Sequence, residues 1–248
     1  MAGHSQYSNI VHRKNAQDKK RAKIFSKLAR EITVAARVSE DPSMNPTLRS
    51  AIQAARAQNM PKDRIERAIS SASGGDTASY EEMRYEGFGP GGIALIVEAL
   101  TDNRNRTASE VRSAFQKHGG TLGESGSVAY MFERIGLVRY PTDASSADDM
   151  LEAAIEAGAE DCNSDDDGHE VVCAPDDLST VRDGLEKSLS APASTARLEW
   201  RPTNTIAIGE DNAGSLFKLL DVLDDNDDVQ RVFANFEVDD AVIESLSN

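Results

Sequence analysis

Between residues 16 and 38 apolar side chains return every three or four positions. At about 100° per residue, Phe25, Leu28, Ala29, Ile32, Ala35 and Ala36 gather on one side of a helix. Lys19, Lys20, Lys23, Lys27, Arg30 and Arg37 gather on the opposite side, and Arg21 is the one clear exception. The pattern predicts an amphipathic helix with a cationic back. Glu40-Asp41-Pro42 stops it, and Asn45-Pro46 offers a cap and a first-turn proline for a second helix carrying Leu48, Ile52 and Ala55. Pro61 opens a third helix, with Ile65, Ala68 and Ile69 on its apolar side and Gly74-Gly75 at its end, followed by a polar linker. Residues 1–75 read as a small helical module.

Beyond the linker, strand and helix patterns alternate. Residues 93–100 form a nearly continuous apolar run, as in a strand buried on both faces. Thr107-Ala108-Ser109-Glu110 has capping-box spacing for a helix that closes at Gly119-Gly120, and residues 128–132 suggest a second strand. A matching set lies far downstream: strand 205–208, helix 214–223 and strand 229–236. Between the halves, strand 136–140, helix 147–157, a hairpin at Asp165-Asp166-Asp167-Gly168, helix 176–189 and strand 196–200 repeat the order. The expected fold class is α+β, a helical module followed by two ferredoxin-like units, one inserted in the other. The expected domains are 1–75, 80–134 with 203–248, and 135–202.

Charge sharpens this division. The chain of 248 residues carries a net charge of −15, yet residues 1–70 hold 14 Lys+Arg against 6 Asp+Glu, a balance of +8, leaving −23 on the rest. A basic module on an acidic body is a footprint of polyanion binding, and the body itself could take a basic protein partner. No apolar run reaches the ~20 residues of a bilayer span and the start lacks a secretory apolar core, so no membrane and a cytoplasmic location are expected. Two cysteines, Cys162 and Cys173, are too few for a secreted disulfide scaffold.

Motifs for catalysis or cofactors are weak. Gly87-Phe88-Gly89-Pro90-Gly91-Gly92 has dinucleotide-loop spacing but precedes a strand instead of opening a helix, so it reads as a tight turn into the sheet. Cys162, His169 and Cys173 lack metal-ligand spacing, and Asp165 to Asp167 lack an EF-hand frame. His118, just before Gly119, reads as a helix cap. No nucleophile frame surrounds the four histidines; a non-enzyme without cofactor or metal is expected. Candidate nucleic-acid contacts are His4, Ser5, Tyr7, His12, Arg13 and Lys14 in a polar opening stretch. The helix adds Lys19, Lys20, Arg21, Lys23, Lys27 and Arg30, and the turn after the apolar strand adds Arg104 and Arg106.

The segments MAGHSQYSNIVHRKNAQDKKRAKIFSKLAREITVAAR, NMPKDRIERAI, YEGFGPGGIALIVEALTDNRNRT and GSVAYMFER resemble the YebC family, which includes bacterial transcriptional regulatory proteins and the mitochondrial translational activator of cytochrome oxidase. The resemblance implies three domains, the third inserted in the second. It also implies a role, in the first place a DNA-binding transcriptional regulator, which the family's name favours, and as the alternative a translation factor that contacts ribosomal RNA on the ribosome and relieves stalled synthesis. Tyr7 stands where the family has tryptophan, and Gln6 and Val11 where it has lysines.

Overall fold

The computed structural model describes residues 17–73, 79–239 and 242, with side chains from residue 21 onward. In chain order the elements are α1 (Gln17–Ala36), α2 (Pro46–Ala57), α3 (Lys62–Ser70), β1 (Glu81–Phe88), β2 (Ala94–Thr101), α4 (Arg104–Lys117), β3 (Thr121–Leu122), β4 (Phe132–Tyr140) and α5 (Ala147–Ala157), followed by β5 (Asp161–Asp165), β6 (Gly168–Cys173), α6 (Leu178–Leu189), β7 (Thr195–Pro202), β8 (Ile206–Ala207), α7 (Glu210–Asp224), β9 (Val229–Ala234) and β10 (Phe236–Glu237). The fold is α+β, a helical N-terminal region followed by sheets.

The helical region forms where periodicity places it. Phe25, Ile32, Ala35 and Ala36 of α1 are buried, as are Leu48, Ile52 and Ala55 of α2 and Ile65 and Ala68 of α3. Asn45 caps α2: its Oδ1 accepts the Leu48 amide at 3.0 Å, and its Nδ2 donates to the carbonyls of Ala35 and Ser39 at the end of α1. Thr33 Oγ1 bonds the Ala68 carbonyl, fixing α1 against α3.

The chain packs as two compact units. One joins residues up to Lys27 with 78–133 and 200–248; the other joins 28–77 with 134–199. The first holds a four-stranded sheet in the order β3-β1-β2-β9, its pairs antiparallel, and a short parallel pair of β10 with β8. β2 is apolar over most of its length because both its faces are covered, and the half-buried Glu98 that interrupts it is met by Trp200 and Arg231. Leu95, Val97 and Ala99 pack with Val111 and Phe115 of α4 and Leu216, Leu219 and Leu220 of α7, while Ala94 and Ile96 meet Val128, Phe132 and Phe233. The turn between β1 and β2 sets Gly91 and Gly92 at φ of 73° and 75°, a left-handed region that disfavours side chains. The glycine run therefore closes a hairpin, the tight turn its spacing suggested.

Two local expectations fail here. Residues 128–132 are not a strand: Ala129–Met131 is a 3-10 turn, and β4 starts at Phe132 and runs unbroken to Tyr140. The amides of Val128 and Ala129 are spent on the Glu86 carboxylate, 3.0 Å from each, instead of on a ladder. Nor does Thr107 cap a helix. Asn103 does, accepting the Arg106 amide at 3.1 Å, so α4 starts a turn earlier and Thr107 is buried inside it.

The second unit carries the sheet β5-β6-β4-β7 with α5 and α6, which is the ferredoxin-like strand order. Its core gathers Val138, Tyr140, Met150, Val171, Val181 and Leu185. Helix α2 belongs to the same unit and is held by polar contacts with α6. Arg182, 1% exposed, donates to Ser50 Oγ at 2.8 Å and to the Pro46 carbonyl; Gln53 Nε2 donates to Glu186 at 2.6 Å; and Arg49 pairs with Asp183 at 3.3 Å.

Candidate nucleic-acid interface

The cationic side of α1 is the first element of the candidate site. His4, Ser5, Tyr7, His12, Arg13 and Lys14 lie outside the described residues, and Lys19 and Lys20 stand on α1 with only their backbone described. Arg21 is exposed, its guanidinium 5.4 Å from the centroid of the Phe25 ring one turn on, a placement that steadies the charge without neutralising it. Arg30 is half-buried.

Lys23 and Lys27 point at an anion that belongs to the chain. Lys23 Nζ lies 2.9 Å from the Asp225 carboxylate and donates to the Asp225 carbonyl at 2.9 Å; Lys27 Nζ donates to the Asp224 carbonyl at 2.8 Å. The Asp224 carbonyl ends α7 and the Asp225 carbonyl belongs to its C-cap, where the helix leaves its final oxygens without intrahelical donors and the macrodipole is negative. Burial lowers the Lys27 pKa; Asp224 opposes this, Lys23 adds to it, and Asp225 and Asp227 oppose it. The Asp225 side chain is 72% exposed, and ion pairs of that kind contribute only about 0–1 kcal/mol. The contact is specific in geometry and weak in energy.

The second element is the start of α4. Arg104 and Arg106 sit in its first turn, not in the loop before it, and meet carboxylates. Arg104 is 3.6 Å from Glu81, while Arg106 is 2.8 Å from Asp102 and 2.6 Å from Asp228. Thr107 and Thr101 hydroxyls donate to the same Asp228 oxygen at 2.6 and 3.1 Å. Burial raises the Asp228 pKa, but the bonds from Arg106, Thr107 and Thr101 outweigh it and hold the carboxyl below its usual range. The bonds to Asp228 and Asp102 in turn raise the Arg106 pKa, so it stays charged throughout. Beside them an open cleft of about 550 Å³ is lined by Glu81, Met83, Asp102, Asn103, Arg104 and Asn105. Arg104, 62% exposed, can turn toward an incoming anion. Arg106 is a structural cation, clamped in place.

Elsewhere the chemistry-bearing residues serve the fold. His169 is buried with Nδ1 2.7 Å from Ser164 Oγ, burial raises the Cys162 thiol pKa and pushes that of Cys173 up to about 11, and His118 forms the C-cap of α4. Among the described residues no group of three or more His, Cys, Asp or Glu is placed to hold a metal ion, and no helix is long and apolar enough to cross a membrane. The sequence reading missed the acidic turn at Asp224, Asp225, Asp227 and Asp228. Its signal was present as a run of carboxylates directly after a helix, but nothing local says that a lysine 202 positions earlier reaches it.

Residues 5–75 match the family model described as the TACO1/YebC protein N-terminal domain, and residues 80–236 match the one described as the TACO1/YebC second and third domain. A solved structure of a conserved hypothetical protein from Aquifex aeolicus is 47% identical, covering 90% of this chain and 93% of that one, with a TM-score of 0.83.

Proposed function

The chain belongs to the TACO1/YebC family, and from that premise we propose that it is a non-enzymatic, nucleic-acid-binding regulator of gene expression that reads phosphate and shape instead of base sequence. The observation that carries this is the segregated cationic side of α1, continued by the basic stretch before it. Regular spacing of lysines and arginines along one helix suits a phosphate backbone, where each contact adds affinity through counterion release. Base readout needs Arg, Asn or Gln presented freely to base edges. In the other helices of the module, Arg67 is paired with Asp63 and Arg49 with Asp183, so neither is presented freely.

A recogniser of that kind fits structured RNA, which is distinguished by its shape and phosphate positions, so ribosomal RNA on the ribosome is the favoured target. The second reading, a DNA-binding transcriptional regulator, is supported by membership of a family that includes bacterial transcriptional regulatory proteins. Affinity for a structured RNA and for random duplex DNA, both measured across salt, separates the two, with ribosome pelleting before and after RNase as the cellular counterpart. The RNA reading expects tighter binding to the structured RNA and RNase-sensitive pelleting. Lys19→Ala with Lys20→Ala should flatten the salt slope by a little under ~2 in either case. Sequence-selective duplex binding with no preference for RNA would sink the favoured reading.

A further inference from the structure

The α7 C-terminus collects several kinds of negative charge in one place. It has the carbonyl end of a 15-residue helix and the carboxylates of Asp221, Asp224, Asp225 and Asp227, and two lysine ammoniums are already seated on it at Asp224 and Asp225. Lys23 and Lys27, one turn apart on α1, are spaced about 6 Å along the helix and meet successive acceptors, as they would on a phosphate backbone. Lys27 lies partly out of water there, with Asp224, Asp225 and Asp227 the anions that act on it. A contact this exposed on the aspartate side holds the lysines without sealing them.

We propose that the acidic C-terminal turn of α7 is an internal stand-in for nucleic acid, occupying Lys23 and Lys27 until a phosphate backbone displaces it. The proposal rests on the nucleic-acid reading above and adds its regulation. The turn sets a threshold, because only a polyanion that releases many counterions outcompetes carboxylates held by the same chain, while isolated phosphates and short anions do not. Non-specific binding by a basic helix is thereby suppressed.

The test compares full-length variants binding a fluorescent structured RNA at fixed salt. Asp224→Asn/Asp225→Asn/Asp227→Asn removes the stand-in's carboxylates, and Asp165→Asn/Asp166→Asn/Asp167→Asn, in the hairpin turn between β5 and β6, changes net charge equally elsewhere. Affinity should rise on the order of tenfold in the first variant and clearly less in the second, with a salt slope steeper by up to ~2 in the first only. Lys23→Ala/Lys27→Ala introduced into the Asp224/Asp225/Asp227 background should abolish that gain, because the lysines it frees are the ones that meet phosphate. As a readout free of nucleic acid, acetylation of Lys23 and Lys27 by an amine-selective reagent should quicken in that background. Equal gains in the two aspartate variants reduce the effect to net charge and overturn the proposal. Weaker binding by the Asp224/Asp225/Asp227 variant also overturns it, by making the turn part of the interface. If no variant binds RNA or DNA even at low salt, the nucleic-acid reading itself fails and the competition with it; acetylation then shows whether the clasp exists without that role.

Discussion

Asp228 illustrates how a single buried carboxylate can organise its surroundings. One of its oxygens receives Arg106 and the hydroxyls of Thr101 and Thr107, joining β2, the first turn of α4 and the segment before β9. Asp228→Asn keeps the shape but removes the charge that Arg106 faces, so unfolding stability should drop by about 1–3 kcal/mol at neutral pH. The pH dependence has a fixed sign. The folded pKa lies below the ordinary aspartate value, so this contribution is full above about pH 4 and fades as acid carries the pH down through the folded pKa. Urea titrations of both proteins from pH 7 to pH 3 should show the gap narrowing only at the acid end. A constant gap would mean that the loss comes from hydrogen bonds the amide cannot make and not from the missing charge. Glu86 is a similar case with a different partner set: fully buried, it is held by the amides of Val128 and Ala129 and by Arg84 at 3.1 Å.

At the scale of elements, caps differ in what depends on them. Ser146 caps α5 from an exposed position, accepting the Asp149 amide at 3.1 Å, whereas Asn45 is buried and bonds α1 and α2 at once. Ser146→Ala should cost about 0.5–1 kcal/mol and Asn45→Ala about 2–3, because the second takes its donor from the Ser39 carbonyl and one of two donors from the Ala35 carbonyl, which keeps the Val38 amide. Chemical denaturation of both variants checks this, and equal losses would reduce Asn45 to an ordinary cap. The helices were readable in the chain because each buries a three-to-four repeat that needs no distant information. β2 was readable by its nearly continuous apolar run, interrupted only at Glu98. β1 was not, since Glu81 to Phe88 mixes acids and an arginine with Met83 and Tyr85, and the charge it buries, Glu86, is satisfied by amides more than forty positions away. Thr107 misled for the same reason: its capping-box spacing is local, while the carboxylate that claims it lies 121 positions downstream. The candidate site divides likewise. The cationic side of α1 is a local pattern, but the clamping of Arg106 and the seating of Lys23 and Lys27 depend on aspartates from the far end of the chain.

At the scale of the whole molecule, the polar linker after the helical region invites the picture of a basic module that falls away when the chain is cut. The contacts inside the second unit oppose it. α2 and α6 share Arg182, whose guanidinium is buried between Ser50, the Pro46 carbonyl and Asp183, and Gln53 and Arg49 add bonds to Glu186 and Asp183. A buried cation held by several acceptors is costly to expose alone, since losing its partners leaves an uncompensated charge. We therefore expect a protease site engineered at Ser79-Tyr80 to be cut without separation: both fragments should co-elute in gel filtration and part only in denaturant. Arg182→Met keeps much of the side-chain volume while removing the charge and its donors, and should lower the urea concentration at which the cut chain separates more than it lowers the unfolding midpoint of the intact one. The reason is that the intact chain retains its covalent tether, whereas the cut chain relies on the interface and becomes concentration-dependent. If the cut halves separate in plain buffer, and the basic fragment alone binds nucleic acid as the full chain does, the α2–α6 contact is too weak to couple the module to the body and the basic region acts independently.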